Sequence, residues 1–444
     1  MNSERKYLSA DGLLELVRKG FGDIEDPRKN GGKISLSDAM MSGLAMFLLK
    51  YPSLLTFDAH RADSNLRSVY GIKQIPSDTQ MRVILDEVSA DSIRPLFKQV
   101  FRQLQRGKVL EQFEFIDNSY LLSVDGTGYF SSGEIHCDSC LEKKHKQTGA
   151  ITYSHQMLGA VIVHPDLKEV IPLAPEPIIK QDGKEKNDCE RNAGKRFFEK
   201  LRQDHPHLRL IITEDALSSN APHIREILKH HMHYILGVKE GDHPYLFAYI
   251  ATAAQNNLTT QFELLDDSFP TATTQRFRFL NQVPINESNP DLLVNVLEYW
   301  EIKQDQRTHV VKTRHFAWVT DFTVTQGNAF KIMRGGRARW KIENETFNTL
   351  KNQGYNFEHN FGHGYKNLSV VLAMLMLLAF LVDQTQQLCC PMFQAVLDKL
   401  GSKTALWFKL RGLFDNHILS SIFQMYQALL FGFEKQILVP SNSS

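Results

Sequence analysis

The sequence predicts an α/β fold: a mixed sheet flanked by helices, with an inserted β-rich subdomain and helical N- and C-terminal regions. Three observations predict it. Apolar, strand-like runs alternate with helical segments between about residues 111 and 239. A stretch rich in Thr, Phe, Val and Tyr, broken by turn residues, fills about 240–325. Helical periodicity dominates residues 1–110 and returns in 326–390 and 391–444.

Composition bounds the function classes. A chain of 444 residues is long enough for two to four domains and a large core. Lys and Arg (51) nearly balance Asp and Glu (50), so nucleic-acid binding must come from local patches. Five cysteines, an odd number, argue against a secreted disulfide framework and for a reducing, cytoplasmic setting. The N-terminal MNSERKYLSADGLLELVRKG lacks an apolar signal-type core. The most apolar run, Leu368 to Val382, is about 15 residues, short of the roughly 20 that span a bilayer. It reads as a buried core helix, and no membrane partner is expected.

In chain order, Ser9-Ala-Asp-Gly starts one amphipathic helix. Ser35 or Ser37 caps a second, running through Met46 to Lys50, and Ser77 caps a third with Met81, Ile84 and Leu85 on its apolar face. Pro95 to Leu104 continues the pattern. This N-terminal cluster is either a DNA-binding module or a scaffold for the core. From about 111 the period changes. Tyr120 to Phe130 (YLLSVDGTGYF) reads as a buried strand delivering Asp125 near its end. Ile151 to Val163 and Glu169 to Leu173 read as strands, and Cys189 to Gln203 as a helix. Leu208 to Asp215 is a strand ending in an acid, Asn220 caps the next helix, and Tyr234 to Lys239 is a further strand.

Two strands thus carry an Asp toward their carboxyl ends, where sites form in open α/β sheets. A third acid comes later, in Arg334 to Lys351 (RGGRARWKIENETFNTLK). Gly335 and Gly336 are expected to break the preceding segment and a helix to follow them. Trp340, Phe347 and Leu350 then share a face, with Glu343 on it. A carboxylate on an apolar face needs a partner. Arg334, Arg337, Arg339, Lys341 and Lys351 surround it. Glu345 competes as the third acid, but lies about 200° round the helix from Glu343, so only one of them serves. Carboxylates converging in one place repel unless a divalent cation neutralises them, and hard oxygen donors suit two Mg²⁺ or Mn²⁺ ions. Such a pair can activate a water or 3′-hydroxyl against a phosphodiester.

At these motifs the chain resembles the DDE transposases of bacterial insertion sequences, the cut-and-paste group with an RNase H-like core. SVDGTGYF (Ser123 to Phe130), ITEDALSSN (Ile212 to Asn220), RWKIENETFNTLK (Arg339 to Lys351) and the following NQGYNFEHNFGHG carry the resemblance, which runs from about residue 26 to 386. It implies an RNase H-like sheet in two parts (111–239 and 326–390), a catalytic and metal-binding triad of Asp125, Asp215 and Glu343, and DNA ends and target DNA as partners. A DNA-bound homodimer held by the C-terminal helices is also implied. In that group an arginine four residues before the glutamate contacts DNA, and Arg339 matches it. A lysine seven after the glutamate would fall on Leu350, one before Lys351, and a tyrosine expected at Gly336 is absent. Lys341 and Arg337 join Arg339 and Lys351 as DNA-binding candidates. About 128 residues separate Asp215 from Glu343, room for the β-rich insertion. Its tryptophans, Trp318 first and Trp300 second, are candidates to stack on a flipped base, or else core residues. Two rival readings remain: a nuclease with the same core that cuts without joining, and a catalytically inactive, transposase-derived DNA-binding protein.

One motif stands apart. Cys137 and Cys140 form a CxxC beside His136 and His145, with Cys189 later, and could hold zinc or simply make a hairpin with buried thiols.

Overall fold

The computed structural model describes residues 6–29, 31–180, 190–266 and 271–432. The chain divides into two units, one of residues 110–348 and one of residues 1–109 with 349–444.

In the first unit, β-branched and aromatic runs alternate inward and outward and build one mixed sheet of twelve described strands. They are β1 (Glu114–Ile116), β2 (Ser119–Ser132), β3 (Leu141–Lys144), β4 (Ile151–Val163), β5 (Ile171–Pro172), β6 (Glu176–Ile178), β7 (Leu210–Thr213), β8 (His233–Val238), β9 (Thr260–Asp266), β10 (Thr271–Pro284), β11 (Leu293–Asp305) and β12 (Val311–Thr320). The main path runs β3-β4-β2-β7-β8-β12-β11-β10-β9. β2, β7 and β8 are parallel neighbours, and the remaining pairs are antiparallel. Helix Glu190–Asp204 precedes β7, and Ala221–Lys229 connects the parallel neighbours β7 and β8. The expected cap holds: Asn220 Oδ1 accepts from the His223 N–H at 3.2 Å.

Three boundaries differ from the sequence reading. The strand expected over Glu169 to Leu173 is only Ile171–Pro172, with the Leu173 N–H still donating to the Ala160 carbonyl of β4 at 2.9 Å. β2 runs seven residues past Asp125, to Ser132. The β-rich stretch is not a separate subdomain, because its strands extend the core sheet. Ala317 to Thr320 of β12 pair with Val238 to Ile235 of β8, and β11, β10 and β9 add on antiparallel. Phe277, Val294, Val296, Leu297 and Val319 are buried along these strands, so the sheet face continues the core.

The helix Gln326–Ala338 differs as well. Gly335 and Gly336 do not break it; they lie in its last turns. A Cβ on Gly335 would stand 2.8 Å from the Phe115 ring, and one on Gly336 would collide with the Trp318 indole. The glycines are there for close approach to the sheet, not for a turn.

The second unit is helical. Ala10–Gly22, Leu36–Leu48 and Asp78–Asp86 are capped by Ser9, Ser35 and Ser77 as their sequences imply, Ser77 in a full capping box with Gln80. Arg94–Arg106 follows. Leu368–Cys389 is long and apolar enough to cross a membrane by length and composition, and is buried inside this unit. The last helices are Pro391–Leu400, Lys403–Asn416 and Ile422–Phe431. The regions expected as separate N- and C-terminal modules therefore belong to one unit.

Two buried acids organise it. Asp383 accepts from Lys50 Nζ at 2.7 Å and from the Tyr355 hydroxyl at 2.5 Å. The Lys50 ammonium also lies 4.0 Å from the Tyr355 ring centre and 4.2 Å from that of Trp407. Asp86 accepts four backbone N–H groups, from Tyr365, Lys366, Asn367 and Leu368, at 2.9–3.0 Å, and so caps the buried helix. Burial opposes the charge of Asp86, but those donors outweigh it and hold the carboxyl below its usual range. Gly364 (φ +68°) brings the chain against that carboxylate, where a Cβ would collide with it.

Replacing Asp86 by Ala removes the acceptor of four backbone donors, one of them buried, and is expected to lower stability by about 2 kcal/mol, with Asp86→Asn intermediate, read from urea unfolding at pH 7.

Candidate active site

Asp125 and Asp215 meet because of register. β2 and β7 pair in parallel up to Ser123 opposite Thr213. Each Asp lies two residues beyond its paired residue, which places both on one side at the carboxyl end of the parallel pair. Asp125 Oδ1 accepts from the Gly126 N–H at 2.9 Å, and Asp215 Oδ1 from the Leu217 N–H at 3.0 Å, capping a short 3₁₀ turn. A cleft of about 710 Å³ opens over them, lined also by Glu190, Arg191, Asn220 and His223.

Glu343 arrives from the far end of the sequence on a π-helical turn, Ile342–Phe347. Its Oε1 lies 2.9 Å from Arg339 Nη1, and the same nitrogen lies 3.6 Å from Asp125 Oδ2. One guanidinium therefore bridges the first and third acids of the expected set. The backbone is anchored at this point, since Ser123 Oγ, two residues before Asp125, donates to the Arg339 carbonyl at 2.9 Å. Beyond the turn, Phe347 packs so closely on β4 that a Cβ on Gly159 would stand 2.9 Å from its ring. The choice between the two glutamates follows from this placement. Glu343 faces Arg339 and Asp125, while the charge of Glu345 acts on Lys341.

The site's electrostatics are those of crowded acids. Burial pushes the Asp125 carboxyl up to about 7; Arg339 opposes this, and Glu343 and Asp215 reinforce it. Glu190, the first residue of its helix, sits over Gly126, whose missing side chain leaves room for the carboxylate. Burial raises its pKa, with Asp215 and Glu214 adding. The sequence reading missed Glu190. Its only signal was an acid at the start of a helix returning to the carboxyl end of the parallel strands. Behind it, buried Glu214 meets His223 Nε2 at 2.5 Å.

The cations flanking Glu343 are brought together less than expected. Arg334 pairs with Asp166, and Arg337 lies 3.1 Å from Glu301 and over the Phe316 ring. Lys341 donates to the Leu167 carbonyl at 2.5 Å, and Lys351 pairs with Glu358 at 2.7 Å. Arg337, Lys341 and Lys351 are thus held by protein partners in this structure, and Arg339 alone reaches the acids. Trp318 is 5% exposed and packed under Gly336, so it is not presented to a base; Trp300 stacks on His315. Trp340, expected on the apolar face with Phe347 and Leu350, is instead 48% exposed. The π turn inserts a residue between Trp340 and Phe347 and rotates the tryptophan outward.

Asp125, Asp215 and Glu190 line the cleft with carboxylate oxygens, a donor chemistry of the kind that hard cations such as Mg²⁺ or Mn²⁺ take, and Glu343 is tied to Asp125 through Arg339.

A sign follows for pH. Asp125 has a folded pKa raised to about 7, above its unfolded value near 3.9, so the folded protein holds more protons between these limits. Without metal, its contribution to stability is therefore lost as pH rises from about 4 to 7. Asp125→Asn is expected to raise the melting temperature in EDTA by a few degrees at pH 8 and hardly at all at pH 4. Calorimetric Mn²⁺ binding to the unsubstituted protein should strengthen from pH 6 to 8 as the competing proton leaves.

No protein-family model matches the chain, and no curated protein matches its sequence.

Proposed function

We propose that the chain is a DNA transposase of the DDE type. In this reading the mixed sheet around β2, β7 and β8 is an RNase H-like core, and the chemistry is metal-dependent hydrolysis at an element's ends followed by strand transfer into target DNA. The observation that carries the proposal is the convergence of Asp125, Asp215 and Glu343, supplied by three separated motifs. Arg339 is shared between the outer two, and Asp125 and Asp215 occupy equivalent positions on adjacent parallel strands.

Each residue has a role consistent with its place. Asp125, Asp215 and Glu343 supply oxygen donors, with Glu190 available as a fourth. When bound, a pair of Mg²⁺ ions supplies Lewis acidity toward the attacking and leaving oxygens of a phosphodiester. Arg339 balances Asp125 and Glu343 and would offer its guanidinium to a backbone phosphate of bound DNA. The Glu214–His223 pair holds the helix start at Asn220 beside Asp215, keeping that carboxylate's surroundings fixed. With formal net charge +1, the chain relies on such local cations for DNA, so binding weakens with salt. Two DNA ends imply a homodimer on DNA.

The test is a plasmid carrying this gene with its natural flanking DNA, incubated with protein and Mg²⁺. Excision and joined strand-transfer products are expected on gels, with Asp125→Ala, Asp215→Ala and Glu343→Ala each reducing both by about 10²-fold or more. Cleavage without joining would replace this reading with a nuclease. Activity unchanged in Asp125→Ala would replace it with a DNA-binding protein that does no chemistry.

A further inference from the structure

A second group of metal-ligating side chains lies outside the acid cleft. Cys137 and Cys140 sit in the connection between β2 and β3, and His155 lies on β4 opposite Phe130 of β2. The connection is tightly turned: the Cys140 N–H donates to the Cys137 carbonyl at 3.1 Å, and the Cys137 N–H to Cys140 Sγ at 3.4 Å. The two sulfurs are 3.9 Å apart, and each is 3.5 Å from His155 Nε2. Cys140 and His155 are each 1% exposed.

The three edges of this triangle decide between chemistries. A disulfide would put the sulfurs about 2.05 Å apart. Thiol hydrogen bonds to Nε2 account for one sulfur–nitrogen edge only, because a neutral imidazole nitrogen has one acceptor lone pair. A tetrahedral zinc site, with Zn–S about 2.3 Å and Zn–N about 2.0–2.1 Å, requires edges of about 3.8 Å between sulfurs and about 3.6 Å from sulfur to nitrogen. Both match the observed triangle closely. Two thiolates and an imidazole also select zinc over the hard cations that suit the carboxylates.

We propose that Cys137, Cys140 and His155 bind a structural zinc ion that ties the β2–β3 connection to β4. Both thiols lose their protons to solvent on binding, and the imidazole coordinates through neutral Nε2. A water or a further donor completes the tetrahedron. Of the two histidines that flank the CxxC in sequence, His136 stacks on Tyr153, and His145 Nε2 meets Thr152 Oγ1 at 2.8 Å. Cys189 lies outside the described residues. Position gives the ion its role. Leu141, Glu142 and Lys143, directly after Cys140, line the acid cleft, so zinc fixes one of its walls.

The test uses full-length protein purified without chelator. About one zinc per chain is expected by elemental analysis. Replacement by Co²⁺ should give tetrahedral ligand-field absorption and a thiolate-to-cobalt charge-transfer band. That band should persist in Cys189→Ser/Cys389→Ser/Cys390→Ser, fall by about half in Cys137→Ser, and vanish in Cys137→Ser/Cys140→Ser. Absence of both zinc and the thiolate band from the unsubstituted protein would overturn the proposal, as would a band that survives the Cys137/Cys140 double change. If the double variant does not fold, the unsubstituted protein and the triple variant decide alone: a thiolate band in both supports the site, and its loss in the triple variant overturns it. None of these readouts depends on DNA or Mg²⁺, so the outcome is separate from that of the transposase reading.

Discussion

Negative charge crowded at the carboxyl end of β2 and β7 is the constraint around which the first unit is arranged. The parallel register sets Asp125 beside Asp215, the helix Glu190–Asp204 begins with a third carboxylate over Gly126, and the π turn brings Glu343. Arg339 meets two of these acids, and among the described residues no salt bridge reaches Asp215 or Glu190. The result is a deficit of positive charge; burial first, and the neighbouring acids after it, displace Asp125 and Glu190 upward. Half-buried acids gathered with so few partners cost free energy. Under the proposed function, cations from solution would make up the deficit.

Local backbone departures hold this arrangement. The helix Gln326–Ala338 can lie on the sheet only because Gly335 and Gly336 present no side chains to Phe115 and Trp318. Its regular part ends at Arg339, whose carbonyl accepts both the Ser123 hydroxyl of β2 at 2.9 Å and the Ile342 N–H of the following turn at 3.2 Å. The π turn then resets the phase, so that Glu343 points to Arg339 while Phe347 still packs on Gly159. A regular α-helix through the same residues would keep Trp340 and Phe347 on one face, as their spacing suggests. π turns often mark functional positions, and here the irregularity delivers the third acid.

How much of this was legible in the sequence follows from what each feature depends on. The helix face expected to carry Glu343 with Trp340 was not as read, whereas the strands that carry Asp125 and Asp215 were readable because strand runs ending in an acid are local patterns. The caps at Ser9, Ser35, Ser77 and Asn220 were readable for the same reason. The continuity of β9 to β12 with the core was not, because pairing of Ala317 with Val238 joins residues far apart, and strand propensity does not name a partner. The partners of Arg334, Arg337 and Lys341 lie on distant loops and strands, so local charge counting overstated the cations facing the site. His155 was hidden in an ordinary alternating strand. It became a ligand candidate only when the β2–β4 register placed it beside Cys137 and Cys140.

The buried acids elsewhere show why those in the cleft stand out. Glu176, fully buried, has Arg196 and Lys200 at 3.0 Å. Glu298 is held by Arg278 and His315, which outweigh burial and keep its carboxyl low. Asp383 has Lys50 and the Tyr355 hydroxyl; burial pushes Asp383 up and Lys50 down, each restrained by the other. In each case the chain supplies its own neutralising donors, and the pair is fixed. The cleft departs from that rule: Arg339 serves Asp125 and Glu343 together. A guanidinium in that position keeps the acids from driving one another apart, yet it can leave without unfolding the sheet, because Ser123 holds the Arg339 backbone and not its side chain. Under the proposed function the same residue would meet two requirements, stability of the cation-free site and a positive charge for phosphate.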